Sequence, residues 1–490
     1  MRPSNLLILM SDEHNKKFLG CYGHPQVKTP NLDRLAAAGT RFSKAYTNSP
    51  ICVPARASLA TGRYTHDIGY WDNAIAYDGR VPSWGHRLQQ AGNPVTSIGK
   101  LHYRFETDQT GFDEQVIPMH IADGKGDVMG SIRPDLPVRY QSQKYADKVG
   151  PGHSPYLDYD RDIAARAADW LKNRANNNSR TEDRPWVLFV SFICPHFPLI
   201  APPEYYQMYP LDEISMPKAA DRDYQFSHPW WKAFRESYII DESFRDDEHR
   251  KMAIASYLGL CTFNDDNIGT VLSALEDSGM ADNTRVTYFS DHGDNMGARE
   301  LWGKSNMYEE SAGIPLILAG PDIPRGKVSE TAVSLVDIFP TVTEAVGLTT
   351  HADDVKLPGR SLIDIANEND DGDRLVFSEY HAAGSISGCY LLRRGKYKYV
   401  NYIESPAELF DLEADPEELK NLSANPDYAS ILNEFEALLR TILDPEAVDA
   451  AAKAAQAKVI EENGGREAVV ARGGLNGTPV PGAEADRVAG

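Results

Sequence analysis

The chain has 490 residues, of which 42% are hydrophobic and 25% are charged, values typical of a globular protein. This length permits two or three domains, or one large α/β domain with an appendage. The formal net charge of −21 argues against binding to a nucleic-acid backbone or to an anionic membrane, because both require a positively charged surface. We therefore expect neither nucleic acid nor a membrane among the partners.

The cysteines and the apolar segments exclude further classes of protein. Five cysteines are scattered along the chain without CxxC spacing, which argues against a disulfide framework and against a zinc–cysteine site. The early apolar run Leu6–Met10 is too short for a secretory signal, and no uninterrupted apolar stretch is long enough to span a bilayer. We therefore expect a cytoplasmic protein.

Three short apolar runs, each followed by polar side chains, predict buried strands of a parallel sheet. These runs are Asn5–Met10 before Asp12, Trp186–Val190 before His196, and Val286–Phe289 before Asp291. Open α/β sheets bind their ligands at the carboxyl ends of such strands, so functional residues should converge there. Helical patterns lie between the strands, at Pro30–Ala38, Ala164–Asn173 and His249–Ser278. The alternation of strands and helices predicts an α/β fold.

The texture of the sequence changes near Asp373, where strand patterns become closely spaced. The candidates are Leu375–Tyr380, Gly388–Leu392 and Tyr397–Val400, with a hairpin turn at residues 393–396. A helix at Ser430–Leu443 is expected to pack on this small antiparallel sheet.

These changes predict a large domain over residues 1–372, a small α+β subdomain over residues 373–445, and a tail over residues 446–490. The tail is rich in alanine, with a helical pattern to Glu462, and is then punctuated by glycine and proline. Such a tail is either disordered or packed against another subunit. We expect a homo-oligomer in which the tail provides a contact.

The most specific motif lies at residues 52–63, with the sequence CVPARASLATGR. It fits CxPxRASLxTG and resembles the signature of the type I, formylglycine-dependent sulfatases. In that family a maturation enzyme oxidises the cysteine to Cα-formylglycine, and the hydrated aldehyde attacks the sulfur of a sulfate ester. The resemblance implies that Cys52 is the precursor of the nucleophile. A lone cysteine among apolar neighbours would instead indicate a buried, inert thiol.

The resemblance covers about residues 5–345 and continues in two short segments, 407–412 and 416–422. It implies an alkaline-phosphatase-like sandwich, with a large mixed, mainly parallel sheet flanked by helices and a small C-terminal antiparallel sheet with one helix. Residues 1–372 would then form the catalytic domain. Within the superfamily, the chain is most similar to arylsulfatases, choline sulfatases and phosphonate monoester hydrolases.

The resemblance assigns a divalent metal to Asp12, Asp291, His292 and an oxygen of the modified Cys52. Carboxylate oxygens and an imidazole are suitable ligands for such an ion beside a sulfate. Many sulfatases have two aspartates where this chain has Asp12 and Glu13, so the role of Glu13 stays open. The Asp-His pair resembles that of choline sulfatases and phosphonate monoester hydrolases. We expect Ca²⁺, with Mn²⁺ or Mg²⁺ as alternatives.

Two further motifs add charged residues to the predicted site. Arg56 lies inside the signature, where the family uses arginine to hold the aldehyde hydrate and to balance nearby carboxylates, a task that suits its planar, permanently charged guanidinium. The family's GKxH segment is matched by residues 99–102. It implies that Lys100 binds a sulfate oxygen and that His102 is the base that releases sulfate from the hydrate. Taken alone, Lys100 and His102 would indicate a solvated loop.

Three more residues are assigned to the transferred group and the leaving group. His196, in the sequence CPHFP, resembles the family's HxP-type segment and is expected to contact the bridging ester oxygen. Lys304 matches a lysine that lies downstream of the metal pair in these enzymes. His196 and Lys304 together could neutralise or protonate the leaving group. Asn73 matches an asparagine that donates to the transferred group in choline sulfatases and phosphonate monoester hydrolases. An asparagine in a loop is otherwise a turn former.

The sequence therefore predicts an arylsulfatase-type hydrolase that splits a small sulfate monoester into an alcohol or phenol and sulfate. Choline sulfate stays open as the substrate, as do phosphonate monoesters and phosphodiesters. A protein of another class, which binds sulfate and keeps Cys52 as a thiol, is a further alternative. Five aromatic residues near the motifs are candidates for the leaving-group pocket, with core packing as their competing role. They are Tyr70, Trp71, Tyr77, Trp84 and Trp302.

Overall fold

The computed structural model describes residues 2–176 and 184–488. Within these residues the large sheet has eight strands: β1 Asn5–Asp12, β2 Gly39–Phe42, β3 Val95–Lys100, β4 Glu114–Met119, β5 Val187–Pro195, β6 Thr284–Ser290, β7 Leu316–Ala319 and β8 Lys327–Ser329. Their order is β8-β2-β7-β6-β1-β5-β3-β4. Strand β7 is antiparallel to β2 and β6, and the other neighbouring pairs are parallel. The predicted large, mixed, mainly parallel sheet is confirmed.

Helices cover both faces of this sheet. Those of eight or more residues are α1 Pro30–Ala38, α2 Cys52–Thr61, α3 Trp84–Ala91, α4 Pro155–Asn176, α5 Pro229–Ser237, α6 Asp247–Asp277, α7 Ile338–Ala345, α8 Ala429–Ile442, α9 Pro445–Glu462 and α10 Gly465–Arg472. Shorter helices are Thr65–Ile68, Lys144–Asp147, Pro203–Tyr206, Arg222–Ser227, Glu309–Ala312 and Leu362–Asn367. In the described ranges, none of the helices is both long enough and apolar enough to cross a membrane.

The central strand β1 explains why the sequence shows continuous apolar runs. Its alternate residues Leu6, Ile8 and Met10 belong to the core on one face, together with residues of α2. The intervening Leu7 and Leu9 belong to the core on the opposite face, together with residues of α4 and α6. Because helices bury both faces, polar residues have no exposed side of the strand to occupy.

The C-terminal sheet is antiparallel and consists of β9 Val376–Tyr380, β10 Cys389–Arg394, β11 Tyr397–Tyr402 and β12 Ser405–Asp411. Strands β10 and β11 are joined by Gly395 and Lys396, since Arg394 pairs with Tyr397. Gly395 has a φ of 58°, which glycine adopts without steric cost in a two-residue hairpin. Helix α8 packs on this sheet through Phe435 and Leu439, as predicted.

The C-terminal tail folds back on its own chain. Gln456 of α9 donates a 2.9 Å hydrogen bond to Asp72 Oδ2, and Val469 of α10 packs in an apolar cluster with Val128 and Met129. A two-residue strand pair, Gly474–Leu475 with Arg487–Val488, follows. The two alternatives expected for the tail, disorder or packing on another subunit, did not include packing on its own chain, which the structure shows. An additional contact with another subunit stays a prediction.

Candidate active site

The predicted site residues come from the carboxyl ends of neighbouring parallel strands. Asp12 ends β1 and Lys100 ends β3, while His196 directly follows β5 and Asp291 directly follows β6. Strand β1 lies between β6 and β5, and β3 is the next strand beyond β5. The four chain segments therefore deliver their side chains to one edge of the sheet, as expected for an open α/β fold.

Cys52 is the first residue of α2, and its side chain contacts Asp12 and His292. Its Sγ atom is 3.6 Å from Asp12 Oδ1 and 3.2 Å from His292 Nε2. The side-chain ligand atoms of Asp12, Cys52, Asp291 and His292 all lie within 4.8 Å of one another, and all four residues are buried. A residue 40 positions from Asp12 and 240 from His292 is thus brought into direct contact with both.

Arg56 bridges the two carboxylates of this cluster. Its Nε donates to Asp291 Oδ2 at 2.9 Å and its Nη2 donates to Asp12 Oδ2 at 3.0 Å. Its Nη1 donates to the Lys100 carbonyl and to Ser191 Oγ, so the buried guanidinium is held at three nitrogens. Lysine could not form this planar set of contacts. Arg56 lies one helical turn after Cys52, and α2 therefore places the cysteine and its neighbouring cation together.

The two carboxylates respond differently to this environment. Burial opposes ionisation of Asp12, but the charges of Lys100, His196 and Arg56 outweigh it and hold the pKa of Asp12 well below its usual range. Lys100 Nζ is 2.7 Å from Asp12 Oδ2. Burial and the nearby charge of Asp12 raise the pKa of Asp291. A cation bound between two neighbouring buried carboxylates stabilises their charged forms.

The cluster fits a divalent metal ion. Ligands bonded to one Ca²⁺ at about 2.3–2.6 Å lie at most about 5 Å apart, and the observed spread of 4.8 Å falls within that limit. Two aspartate carboxylates provide the hard oxygen ligands that Ca²⁺, Mg²⁺ and Mn²⁺ prefer, and the imidazole of His292 provides one nitrogen. The donor set therefore suits a divalent cation of this kind.

Glu13 occupies a neighbouring position and contacts Lys304, His196 and Tyr145. Its Oε2 is 2.8 Å from Lys304 Nζ and 3.2 Å from His196 Nε2, and its Oε1 accepts a 3.0 Å hydrogen bond from Tyr145. Burial raises the pKa of Glu13 to about 8, against the opposing charge of Lys304. Glu13 groups with Asp12 and His196 as a second set of potential ligands, which shares Asp12 with the set that contains Cys52.

His102 is held by the C-terminal tail. Its Nε2 lies 2.8 Å from Thr478 Oγ1, and its Nδ1 is buried without a hydrogen-bond partner among the described residues. Burial and the charges of Lys100 and Arg56 lower the pKa of His102 well below its ordinary value. The imidazole is therefore neutral at neutral pH, the form in which a histidine can accept a proton.

Asn73 lies beside the start of α2. Its Oδ1 accepts a 3.2 Å hydrogen bond from the backbone N–H of Val53, the residue after Cys52. This bond satisfies one of the N–H groups that every helix leaves free at its first turn.

A cavity of about 130 Å³ opens above these residues. Its lining includes every predicted substrate-contacting side chain, namely Cys52, Asn73, Lys100, His102, His196 and Lys304. The volume is close to the ~150 Å³ that holds one benzene ring in an engineered protein cavity, so the space suits a small ligand.

Of the five aromatic candidates, Trp302 lines this cavity. Tyr70, Tyr77 and Trp84 belong to the core beneath the sheet, and Trp71 is buried with its ring against His381. For these four, packing in the core is the role that the structure gives. Instead, the aromatic wall is formed by Tyr145, Tyr156, Phe197 and Tyr238.

Sequence reasoning missed the tail and the basic residues of the cavity. Leu475, Gly477 and Thr478 line it, as do Arg139 and Lys144. No motif surrounds these positions, and contacts between residues several hundred positions apart leave no local pattern. The glycine and proline spacing of the tail indicated irregular structure but not its location.

Comparison with known proteins identifies the family of this chain. The family model for Sulfatase matches residues 4–348, and the model for N-sulphoglucosamine sulphohydrolase, C-terminal, matches residues 297–444. Choline-sulfatase of Rhizobium meliloti (strain 1021) is 32% identical over 467 residues, which cover 93% of this chain and 90% of that protein. Arylsulfatase K of Danio rerio is 27% identical over 465 residues, which cover 90% and 84%.

A solved structure shows the same fold. Phosphonate monoester hydrolase of Agrobacterium radiobacter superposes with a TM-score of 0.70 at 24% identity, covering 90% of this chain and 95% of that one. The family match spans more than half of the chain and includes Cys52, Lys100 and Asp291. The chain therefore belongs to the sulfatase family and is a sulfuric ester hydrolase with an alkaline-phosphatase-like fold.

Proposed function

We propose that this protein is a formylglycine-dependent sulfatase that cleaves the S–O bond of a small sulfate monoester and releases an alcohol or phenol and sulfate. The observation that carries the proposal is the position of Cys52. It lies within the signature, at the first residue of α2, 3.2 Å from His292 and 3.6 Å from Asp12, at the wall of the cavity.

The environment of Cys52 argues against chemistry by an unmodified thiol. Burial and the nearby carboxylate of Asp12 raise the pKa of Cys52 to about 12, and a thiol is nucleophilic only as its thiolate. Oxidation of Cys52 by a formylglycine-generating maturation enzyme removes this obstacle. The hydrated aldehyde of formylglycine supplies an oxygen nucleophile for attack on sulfur.

A divalent metal completes the proposed site. Asp12, Asp291 and His292 would hold it, together with an oxygen of the modified residue 52. A bound divalent cation supplies charge stabilisation for the sulfate and for the nucleophile. Ca²⁺ fits the two carboxylates, with Mn²⁺ and Mg²⁺ as the alternatives.

The lysines of the cavity bind the sulfate. Lys100 and Lys304 project into the same cavity as residue 52 and reverse, within the site, the field of a chain with net charge −21. Asn73, also on the cavity wall, donates to the transferred group. Because the lysine side chains are largely buried, their charges act more strongly than they would in solution.

Two groups handle the protons. His102 is neutral and accepts a proton at Nδ1, provided that Nε2 carries its hydrogen and donates it to Thr478. On the leaving-group side, Lys304 Nζ lies 2.8 Å from Glu13 Oε2, an acceptor that favours the protonated form of the lysine. The lysine therefore arrives protonated and stabilises the departing oxygen, with His196 beside it.

Two alternatives use the same site. The named choline-sulfatase relative, at 32% identity, supports choline sulfate as a candidate ester. The similarity to the phosphonate monoester hydrolase, at 24% identity, supports a shared fold and not a shared substrate. Against phosphonates, Lys100 and His102 follow the sulfatase pattern in which a base releases sulfate.

Matched aryl esters test the proposal. We expect kcat/KM for 4-nitrophenyl sulfate to exceed that for 4-nitrophenyl phenylphosphonate in protein whose residue 52 carries the aldehyde. A higher value for the phosphonate would replace the sulfatase assignment by the phosphonate one. Cys52→Ala is the control, since hydrolysis of either ester by that variant would come from another site or a contaminant.

A further inference from the structure

The basic residues of the cavity are not equivalent. Four cationic side chains line it, and three of them have a carboxylate at ion-pair distance. The three pairs are Lys100 with Asp12 at 2.7 Å, Lys304 with Glu13 at 2.8 Å, and Arg139 with Asp127. The fourth cation is Lys144.

Lys144 is held without a counter-ion. Its Nζ donates to the carbonyl oxygens of Asn476, at 2.5 Å, and Leu475, at 3.4 Å, both in the tail. It also lies 4.3 Å from the centroid of the Phe197 ring. In the part of the chain that the structure describes, no carboxylate lies within ion-pair distance of it.

The sulfate-binding lysine is a close neighbour of this uncompensated charge. Lys304 Nζ lies 5.2 Å from the centroid of the same Phe197 ring. Removal from solvent and the charge of Lys304 outweigh the more distant carboxylates of Asp127 and Glu13 and lower the pKa of Lys144 to about 7. Charged groups in protein interiors are nearly always paired, so a cation that faces a cavity with carbonyl oxygens but no carboxylate beside it is suited to an anion from the ligand.

The geometry points to Lys144 as a subsite for a second anionic group, carried by the leaving group of the sulfate ester. This inference rests on the proposed function, because Lys100 and Lys304 must hold the sulfate for a second anion to reach Lys144. The substrate class is then a sulfate ester whose alcohol or phenol carries an acidic group, such as a carboxylate. Backbone carbonyls of the tail hold the ammonium in place for it.

The same arrangement disfavours a cationic leaving group. A quaternary ammonium would enter a cavity in which Lys144 is already uncompensated, and the Phe197 ring that could attract it is already approached by two lysines. The subsite therefore favours esters with an acidic leaving group over esters with a cationic one. The residues that bind the sulfate do not make this distinction.

A charge series of phenyl sulfates tests the subsite. The para substituents are carboxylate, carboxamide and trimethylammonium, and kcat/KM is measured for the wild type, Lys144→Gln and Lys144→Arg. Hydrogen bonds to charged groups contribute about 1.5–3 kcal/mol, so we expect Lys144→Gln to lower the carboxylate-to-carboxamide ratio by on the order of tenfold to a hundredfold. Lys144→Arg retains the charge and should keep most of the ratio. Lys148→Gln, on an exposed lysine of the same segment, should leave the ratio unchanged.

Two results would overturn the inference. One is a carboxylate-to-carboxamide ratio that is the same in Lys144→Gln as in the wild type, and the other is a trimethylammonium-to-carboxamide ratio that Lys144→Gln lowers instead of raising. Because each ratio is compared between the variant and the wild type, the intrinsic reactivity of the esters and any general loss of activity cancel. If no sulfate ester is hydrolysed by aldehyde-bearing protein, the proposed function fails separately. Calorimetric binding of 4-sulfooxybenzoate to Cys52→Ala, with and without Lys144→Gln, then still decides whether the subsite exists.

Discussion

Thr478 Oγ1 lies 2.8 Å from His102 Nε2, although 376 residues separate the two in sequence. The contact places the C-terminal tail directly on the proposed base. The Thr478 backbone carbonyl accepts a 2.5 Å hydrogen bond from Tyr156, another residue of the cavity wall, which fixes the tail independently of the threonine side chain. The tail is thus part of the site.

Removal of the Thr478 hydroxyl tests this contact. We expect Thr478→Val to lower kcat by roughly threefold to tenfold, because a neutral hydrogen bond contributes about 0.5–1.5 kcal/mol and here orients the ring of His102. Thr478→Ser should restore most of the rate, since serine keeps the hydroxyl. The matched control is Thr350→Val, at an exposed position. Equal losses in the valine and serine variants would show that the hydroxyl has no part in orienting His102.

Asn73→Ala should give a graded loss of activity. One donor aimed at developing charge contributes roughly 3 kcal/mol, so the expected fall in kcat is about a hundredfold. Asn73 also accepts the Val53 N–H, so thermal unfolding of the variant should be measured beside its activity. Asn369→Ala, on an exposed asparagine, is the control. A rate within twofold of wild type would remove Asn73 from the proposed site.

The pH dependence of kcat follows from His102. Burial and the charges of Lys100 and Arg56 hold the pKa of His102 well below the ordinary 6.5, so the neutral, proton-accepting form persists as the pH falls through that value. We expect kcat for 4-nitrophenyl sulfate to stay level through pH 6.5 and to decline only in more acidic solution. An acid limb with its midpoint at or above 6.5 would conflict with His102 as the base in this environment.

Removal of the metal should affect both activity and stability. Asp12 and Asp291 are buried beside one another, and without a divalent cation their charges are balanced only by neighbouring basic residues. We expect chelation to abolish hydrolysis and to lower the unfolding temperature, and Ca²⁺ to restore both. The size of the stability loss depends on the free metal concentration, since a metal present at 100 times its Kd stabilises the native state by about 2.7 kcal/mol. Full activity after exhaustive chelation would argue against a metal at this cluster, and recovery with Mn²⁺ alone would correct the ion.

Much of the fold could be predicted because its signals are local. Helix α1 was expected at Pro30–Ala38 and has those bounds, and the apolar runs of β1, β5 and β6 are strands whose two faces are covered. The hairpin turn at Gly395 likewise follows from glycine's freedom at positive φ.

The remainder depended on contacts that no local pattern encodes. Lys144 lies in a four-residue helix within an irregular region, and its role arises from the position of Phe197 and of the tail. Aromatic composition near a motif also does not reveal which ring faces the cavity. Trp302 lines it, whereas Tyr70 belongs to the core. Self-association of the chain stays a prediction.

The chemical state of residue 52 tests the central claim most directly. Protein produced in a host that has the maturation enzyme is digested, and the peptide containing Cys52 is analysed by mass spectrometry. The proposed mechanism predicts an aldehyde at this position, trapped as a hydrazone by a hydrazine reagent, in a fraction of molecules that scales with activity. A fully active preparation in which residue 52 is an unmodified thiol would contradict it.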